Sequence, residues 1–185
     1  MKYLVFDDMG CCTDADVKRL QGVVSKQRLD KAMRYKFLFG QWACLKTYEM
    51  LLNLLNAAEI PDWEENEWGK PFIKGGPYFS ISHCKNALMV GVSEKPIGVD
   101  VERVRNADIA LVERTMNREE RDCILNAADR ALKFTELWTR KEAWLKWKGT
   151  GIIDDLENVL LDVDENRIIT QSDPEKGYVW SLISE

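Results

Sequence analysis

The order of helix-like and strand-like stretches constrains this chain most. Apolar residues recur at helical spacing over residues 14–35 and again through Trp42, Leu45, Tyr48, Leu51 and Leu55, with Pro61 as the expected stop. From Gly69 the texture changes to short runs separated by turn residues: Phe72-Ile73, then 78–82, 87–92 and 97–104, with Gly75-Gly76-Pro77 and Glu94-Lys95-Pro96 between them. Asn117-Arg118-Glu119-Glu120 reads as a capping box opening a short helix, and Asp129 as the start of a long one that Gly149 and Gly151 end. Strand-like runs return at 156–163, 167–170 and 177–183. Strands that cluster, instead of alternating singly with helices, predict an α+β fold of two similar lobes sharing an interface and not a doubly wound sheet. The expected division is an N-terminal lobe over 1–96 and a C-terminal lobe over 97–185.

Charge is unevenly spread. The net charge of −5 argues against general nucleic-acid binding, yet Lys18, Arg19, Lys26, Arg28, Lys31, Arg34 and Lys36 face one acid, Asp30, within a single stretch. Such a stripe suits a small polyanion or an acidic protein; a solvated helix face is the equal alternative. The cysteines are five, and none form a C-x-x-C pair, so neither a disulfide framework nor a structural zinc site is indicated. One histidine excludes a His-based metal cluster. Leu4-Val5-Phe6 is too short for a signal-peptide core, and no run approaches the length that crosses a bilayer. A reducing, cytoplasmic location is the expectation.

Two stretches carry chemistry. Within 134–151 the helix sets Arg140, Lys141, Lys146 and Lys148 around Glu142, the one acid between 140 and 148. Glu142 and Lys146 rise about 6 Å along one face and can address one ligand, such as a metal-bound phosphate; a solvated Glu–Lys pair is the bland reading. In Gly98-Val99-Asp100-Val101-Glu102 the two acids project from one strand face about 6.6 Å apart, while Val99 and Val101 turn to the core. An exposed polar strand face would read the same way. With Glu142 added, an all-oxygen set suits Mg²⁺, which keeps water and phosphate oxygens in its remaining positions.

Gly69-Lys70-Pro71, Phe79-Ser80-Ile81-Ser82-His83, Gly98-Val99-Asp100-Val101-Glu102 and 138–146, in this order and spacing, resemble the signature blocks of Sfp-type 4′-phosphopantetheinyl transferases. The resemblance implies a pseudo-dimer of two α+β lobes with coenzyme A in the cleft between them. It also implies transfer of phosphopantetheine from coenzyme A to a serine of an apo acyl or peptidyl carrier protein, with release of adenosine 3′,5′-bisphosphate. Carried over by position, Asp100, Glu102 and Glu142 are the implied magnesium ligands. Glu142 is also the implied base for the carrier serine, directly or through water, and His83 a lesser candidate. Lys146 and Lys141 are implied to meet the pyrophosphate and its neighbourhood, Ser82, His83 and Lys70 the coenzyme, and Arg28 and Lys31 to be looser basic contacts to it.

The arginine expected after these is not evident. Gln41 or Trp42 stands in that region, with Lys46 a stand-in, and the chain ends soon after Trp180, earlier than many relatives. A monomer is expected, because two lobes in one chain complete a cleft. Two rival readings use the same residues: a non-catalytic coenzyme A or carrier-protein binding module, and a metal-dependent nucleotide hydrolase.

Overall fold

A computed structural model describes residues 1–60, 63–151, 155–161 and 163–185. Its architecture is α+β, built on two three-stranded antiparallel sheets, each packed against one long helix. The first sheet has the order β1-β5-β4, from Lys2–Phe6, Leu88–Ser93 and Tyr78–His83. The second has the order β6-β8-β7, from Ile97–Arg103, Tyr178–Ser184 and Ile168–Asp173. A small ribbon pairs β2 (Glu64–Glu65) with β3 (Pro71–Phe72).

The helices follow their caps. α1 (Asp14–Gln21) and α2 (Lys26–Ala32) are the helical segments read over 14–35, and they are separate. The break has a physical cause: the Ser25 side chain accepts from the Arg28 amide and starts a new helix after Gly22. α3 (Leu38–Leu55) ends on Asn56 in the left-handed conformation. The expected stop at Pro61 lies outside the described residues.

α4 (Ile109–Thr115) was not anticipated from the sequence; α5 (Arg118–Asn126) begins with the capping box as read, Asn117 and Glu120 bonding reciprocally. α6 (Arg130–Lys148) starts at the Asp129 cap and stops at Gly149, whose φ of 75° is left-handed. The strand expected over 156–163 is not one among the described residues. Leu156–Asn158 form a 3₁₀ turn instead, and Leu160 and Val163 pack against the α6–β7–β8 core.

The strand pleat sorts residues into layers. Leu88, Val90 and Val92 of β5 join Trp42, Leu45 and Leu51 of α3 in the first core. Met89 of β5 turns the other way and meets Ile97, Val99 and Val101 of β6 and Trp180 and Leu182 of β8, forming a core shared by both sheets. That leaves Gly98, Asp100 and Glu102 on the opposite face of β6, toward α6.

At Gly98 the reason for glycine is steric. A Cβ there would stand 2.9 Å from Trp147 Cα and closer still to the Ala143 carbonyl and Trp147 amide, so β6 and the α6 backbone meet without an intervening side chain. This close approach brings Asp100, two residues along the strand, beside the helix face that carries Glu142 and Lys146.

Candidate active site

Successive turns of α6 place Trp138, Glu142 and Lys146 on one stripe, and all three line a cavity of about 390 Å³. Asp100 and Glu102 reach the same cavity from β6, Ser82 and His83 from β4, and Arg28 and Lys31 from α2. Asp100 is the most buried of the acids, with 3% of its surface exposed. Its Oδ1 accepts from Lys146 Nζ at 2.7 Å and from Ser82 Oγ at 2.8 Å, and Lys146 also donates to Ser82 Oγ at 2.9 Å. The result is a closed Asp–Ser–Lys triangle holding the ammonium over the acid. Asp100 Oδ2, by contrast, is buried with no hydrogen-bond partner. An unsatisfied buried carboxylate oxygen is costly and calls for a donor or a cation.

The neighbouring acids show the same want of positive charge. Burial raises the Glu142 carboxyl above its ordinary range, Asp100 raises it further, and Lys146 only partly offsets them. Burial likewise raises Glu102, again with Asp100 adding to the effect. Among the described residues no three His, Cys, Asp or Glu side chains are already gathered as a ready-made metal cluster. The donor chemistry nonetheless fits a hard divalent cation: three carboxylates border one cavity, one oxygen is orphaned, and two carboxyls are held above their normal range by burial and by the Asp100 charge.

The basic residues divide into those at the cavity and those bound elsewhere. Arg28 lines it but is itself anchored: Nε donates to the Cys44 carbonyl at 2.8 Å, Nη2 to Thr47 Oγ1 at 3.1 Å, and the guanidinium lies 4.8 Å from the Trp63 ring centre. Lys31 pairs with Glu65 at 2.6 Å on an open surface. His83 sits exposed at the lip, edge-on to Phe39; the surrounding protein and the Lys146 ammonium hold its pKa below the usual histidine value.

Lys70 lines an adjoining cavity of about 270 Å³ that shares Glu142 and Lys146 with the first. Its Nζ donates to the carbonyls of Ile97 at 3.2 Å and Trp147 at 3.4 Å, and burial pulls its pKa down to about 8.

Two sequence expectations meet a different placement. Lys141, expected at the pyrophosphate, does not line the cavity. It is fully buried and donates to the carbonyls of Leu156 and Glu157 at 2.9 and 3.1 Å, beside Glu120 Oε2 at 2.9 Å. The helical period explains the difference, since residue 141 points roughly 100° away from residue 142 around the axis. Lys46, the stand-in for the arginine, pairs with Glu49 at 2.7 Å and lies over the Phe6 ring, away from the cavity lining. Much of the basic stripe is neutralised in the same way, Arg19 by Asp16 and Glu49 and Lys26 by Asp30. Trp138 and Tyr35 line the cavity without having been singled out for it. For Trp138 the signal was its position four residues before Glu142.

The sequence profile of the 4′-phosphopantetheinyl transferase superfamily matches residues 96–185, which include β6 and α6. The chain is 28% identical over 159 residues to the 4′-phosphopantetheinyl transferase gsp of Aneurinibacillus migulanus, covering 81% of this chain and 66% of that protein. To a 4′-phosphopantetheinyl transferase of Bacillus subtilis it is 33% identical over 145 residues, covering 72% and 64% respectively. The chain is thus similar to 4′-phosphopantetheinyl transferases, through the superfamily profile over 96–185 and through these relatives. The match to Sfp of Bacillus subtilis strain 168, at 29% over 90 residues, covers 46% of this chain and 40% of Sfp. The chain spans about two thirds or less of the length of these curated relatives.

Proposed function

We propose that the protein transfers the 4′-phosphopantetheine group of coenzyme A to a serine of an apo acyl or peptidyl carrier protein, releasing adenosine 3′,5′-bisphosphate. The observation that carries this reading is the gathering of Asp100, Glu102, Glu142 and Lys146 at one cavity that Arg28, Lys31 and His83 also line. A pyrophosphate needs countercharge from one side and an acceptor for the incoming hydroxyl proton from the other.

In this reading residues 1–96 and 97–185 form the two lobes of a pseudo-dimer, and coenzyme A lies between them. Asp100, Glu102 and Glu142 hold Mg²⁺, with the orphaned Asp100 Oδ2 as a ready ligand atom. When bound, the ion neutralises the pyrophosphate and sharpens the electrophilicity of its phosphorus. Lys146 is held over the cavity by Asp100 and Ser82 and turns its one remaining N–H to a phosphate oxygen. Ser82, His83, Lys70, Arg28 and Lys31 bind the rest of the coenzyme.

Glu142 takes the proton of the carrier serine. Burial, and secondly the Asp100 charge, raise its pKa above that of an ordinary carboxylate, which favours proton uptake. The serine oxygen then forms a bond to the phosphorus bearing pantetheine, and the bond from that phosphorus to the bridging oxygen breaks. The departing bisphosphate carries away the electron pair. We place the protein in the cytoplasm as a monomer acting on a free carrier; among the described residues no helix is long and apolar enough to cross a membrane.

The test is incubation with coenzyme A, Mg²⁺ and a panel of apo carrier proteins, read by intact-mass spectrometry. One serine of at least one carrier gains a phosphopantetheine group. Coenzyme A binding by calorimetry with no carrier modified would instead indicate a non-catalytic binding module, and bisphosphate release without a carrier would indicate a hydrolase.

A further inference from the structure

The buried lysine beside the proposed base is the charged group for which the reaction has no use. Lys141 has 1% of its side-chain surface exposed, and its ammonium meets three acceptors: the carbonyls of Leu156 and Glu157 and the Glu120 carboxylate. An ammonium has three N–H donors, so this set leaves none over for a phosphate. Glu120 is held in turn, because its Oε2 also accepts the Asn117 amide at 2.8 Å in the capping box of α5. One side chain therefore ties three pieces of chain together: α6, the start of α5, and the 3₁₀ turn at 156–158.

The opposite flank of α6 is fastened independently. Thr139 Oγ1 and Ser181 Oγ lie 2.8 Å apart, Ala143 is buried against Ile183 and Ile168, and the α6 backbone at Ala143 and Trp147 abuts Gly98. At about 100° per residue, the stripe of Trp138, Glu142 and Lys146 stands between these two attachments. The other contacts on Lys141's side of α6, Phe134 and Leu137 against Met116 and Ile124, lie in its first two turns, so farther along the helix the Thr139–Ala143–Trp147 flank alone is a hinge line about which it can roll. A second attachment on the far side of the stripe removes that freedom.

We infer that Lys141 is a positioning residue, whose buried link to Glu120 and the 156–157 carbonyls fixes the rotation of α6 and so aims Glu142 and Lys146 at the reacting phosphate. This assignment rests on the proposed transfer reaction for its kinetic consequence, though not for its geometry. A contact role would instead require Lys141 Nζ to leave three acceptors and cross the helix surface to the cavity.

The experiment compares Lys141→Met with the double variant Glu120→Gln/Lys141→Met. The double variant buries no charge and keeps the amide cap at Asn117, so its thermal stability returns toward the wild-type value. Its kcat stays down by about ten- to a hundred-fold, the scale expected for roughly 1 Å of misalignment, while coenzyme A affinity by calorimetry changes less than about threefold. Recovery of kcat along with stability would reduce Lys141 to a merely structural role and overturn the assignment. A loss of coenzyme A affinity of about tenfold with kcat retained would restore a contact role and overturn it equally.

A crystal structure of the double variant is the readout without turnover. The Glu142 carboxylate moves away from Asp100, whereas an unmoved Glu142 contradicts the assignment. If the wild type modifies no carrier, the transfer reading fails, and this structure still decides the positioning role.

Discussion

Replacing Gly98 with alanine adds one methyl group at the point where β6 crosses α6. The new Cβ would meet backbone on three sides, with Trp147 Cα at 2.9 Å and the Ala143 oxygen and Trp147 nitrogen nearer. Backbone atoms in the middle of a helix cannot rotate aside as a side-chain tip can. To restore ordinary contact distances the strand and helix must separate by more than about 1 Å. Overpacking of this kind destabilises by about 1–3 kcal/mol, which at this chain length lowers the melting temperature by roughly 2–12 °C.

The same displacement carries Asp100 away from Lys146, now 2.7 Å from it, and from Glu142. A misplacement near 1 Å lowers turnover by about 10². Gly98→Ala is therefore expected to be folded but less stable, with a cooperative melt by circular dichroism and strongly reduced kcat in the carrier assay. A variant with wild-type melting temperature and kcat would refute the packing argument.

The remaining predictions address single groups. Glu142→Gln removes the proposed proton acceptor while keeping its size, and lowers kcat by about 10² or more; near-normal turnover removes Glu142 from the role of base. The chain's one histidine gives one imidazole signal, so NMR titration reads His83 directly. Its pKa lies below the usual value near 6.5, because the protein around it and Lys146 disfavour the cation. The linkage sign follows: the unfolded chain binds this proton first, so the group's contribution to stability is whole above that value and declines as pH falls below it. A His83 pKa above the usual value would contradict the placement of Lys146 beside it.

Much of the site was legible because its residues lie within regular elements whose period is fixed. Two-residue alternation sends Asp100 and Glu102 to one face of β6 and Val99 and Val101 to the core, as found. Four-residue spacing joins Glu142 to Lys146 and, unremarked, to Trp138. The same period turns Lys141 away from them, whereas the family resemblance implies a place near the pyrophosphate.

What the sequence could not yield depends on contacts between distant segments. Glu49 and Glu65 neutralise Arg19 and Lys31 from 30 and 34 residues away, so the basic stripe looked more available than it is. The run at 156–163 has the apolar content of a strand, but the residues of it that pack do so from a turn against α6. Gly98 reads as an ordinary strand glycine until the α6 backbone is set against it.

Binding of Mn²⁺ in place of Mg²⁺, located by anomalous diffraction from crystals soaked with coenzyme A, tests the centre of this account most directly. The account predicts one strong peak bonded to carboxylate oxygens of Asp100, Glu102 and Glu142, with Asp100 Oδ2 among them. A coenzyme-loaded crystal whose manganese binds elsewhere, or not at all, would contradict it.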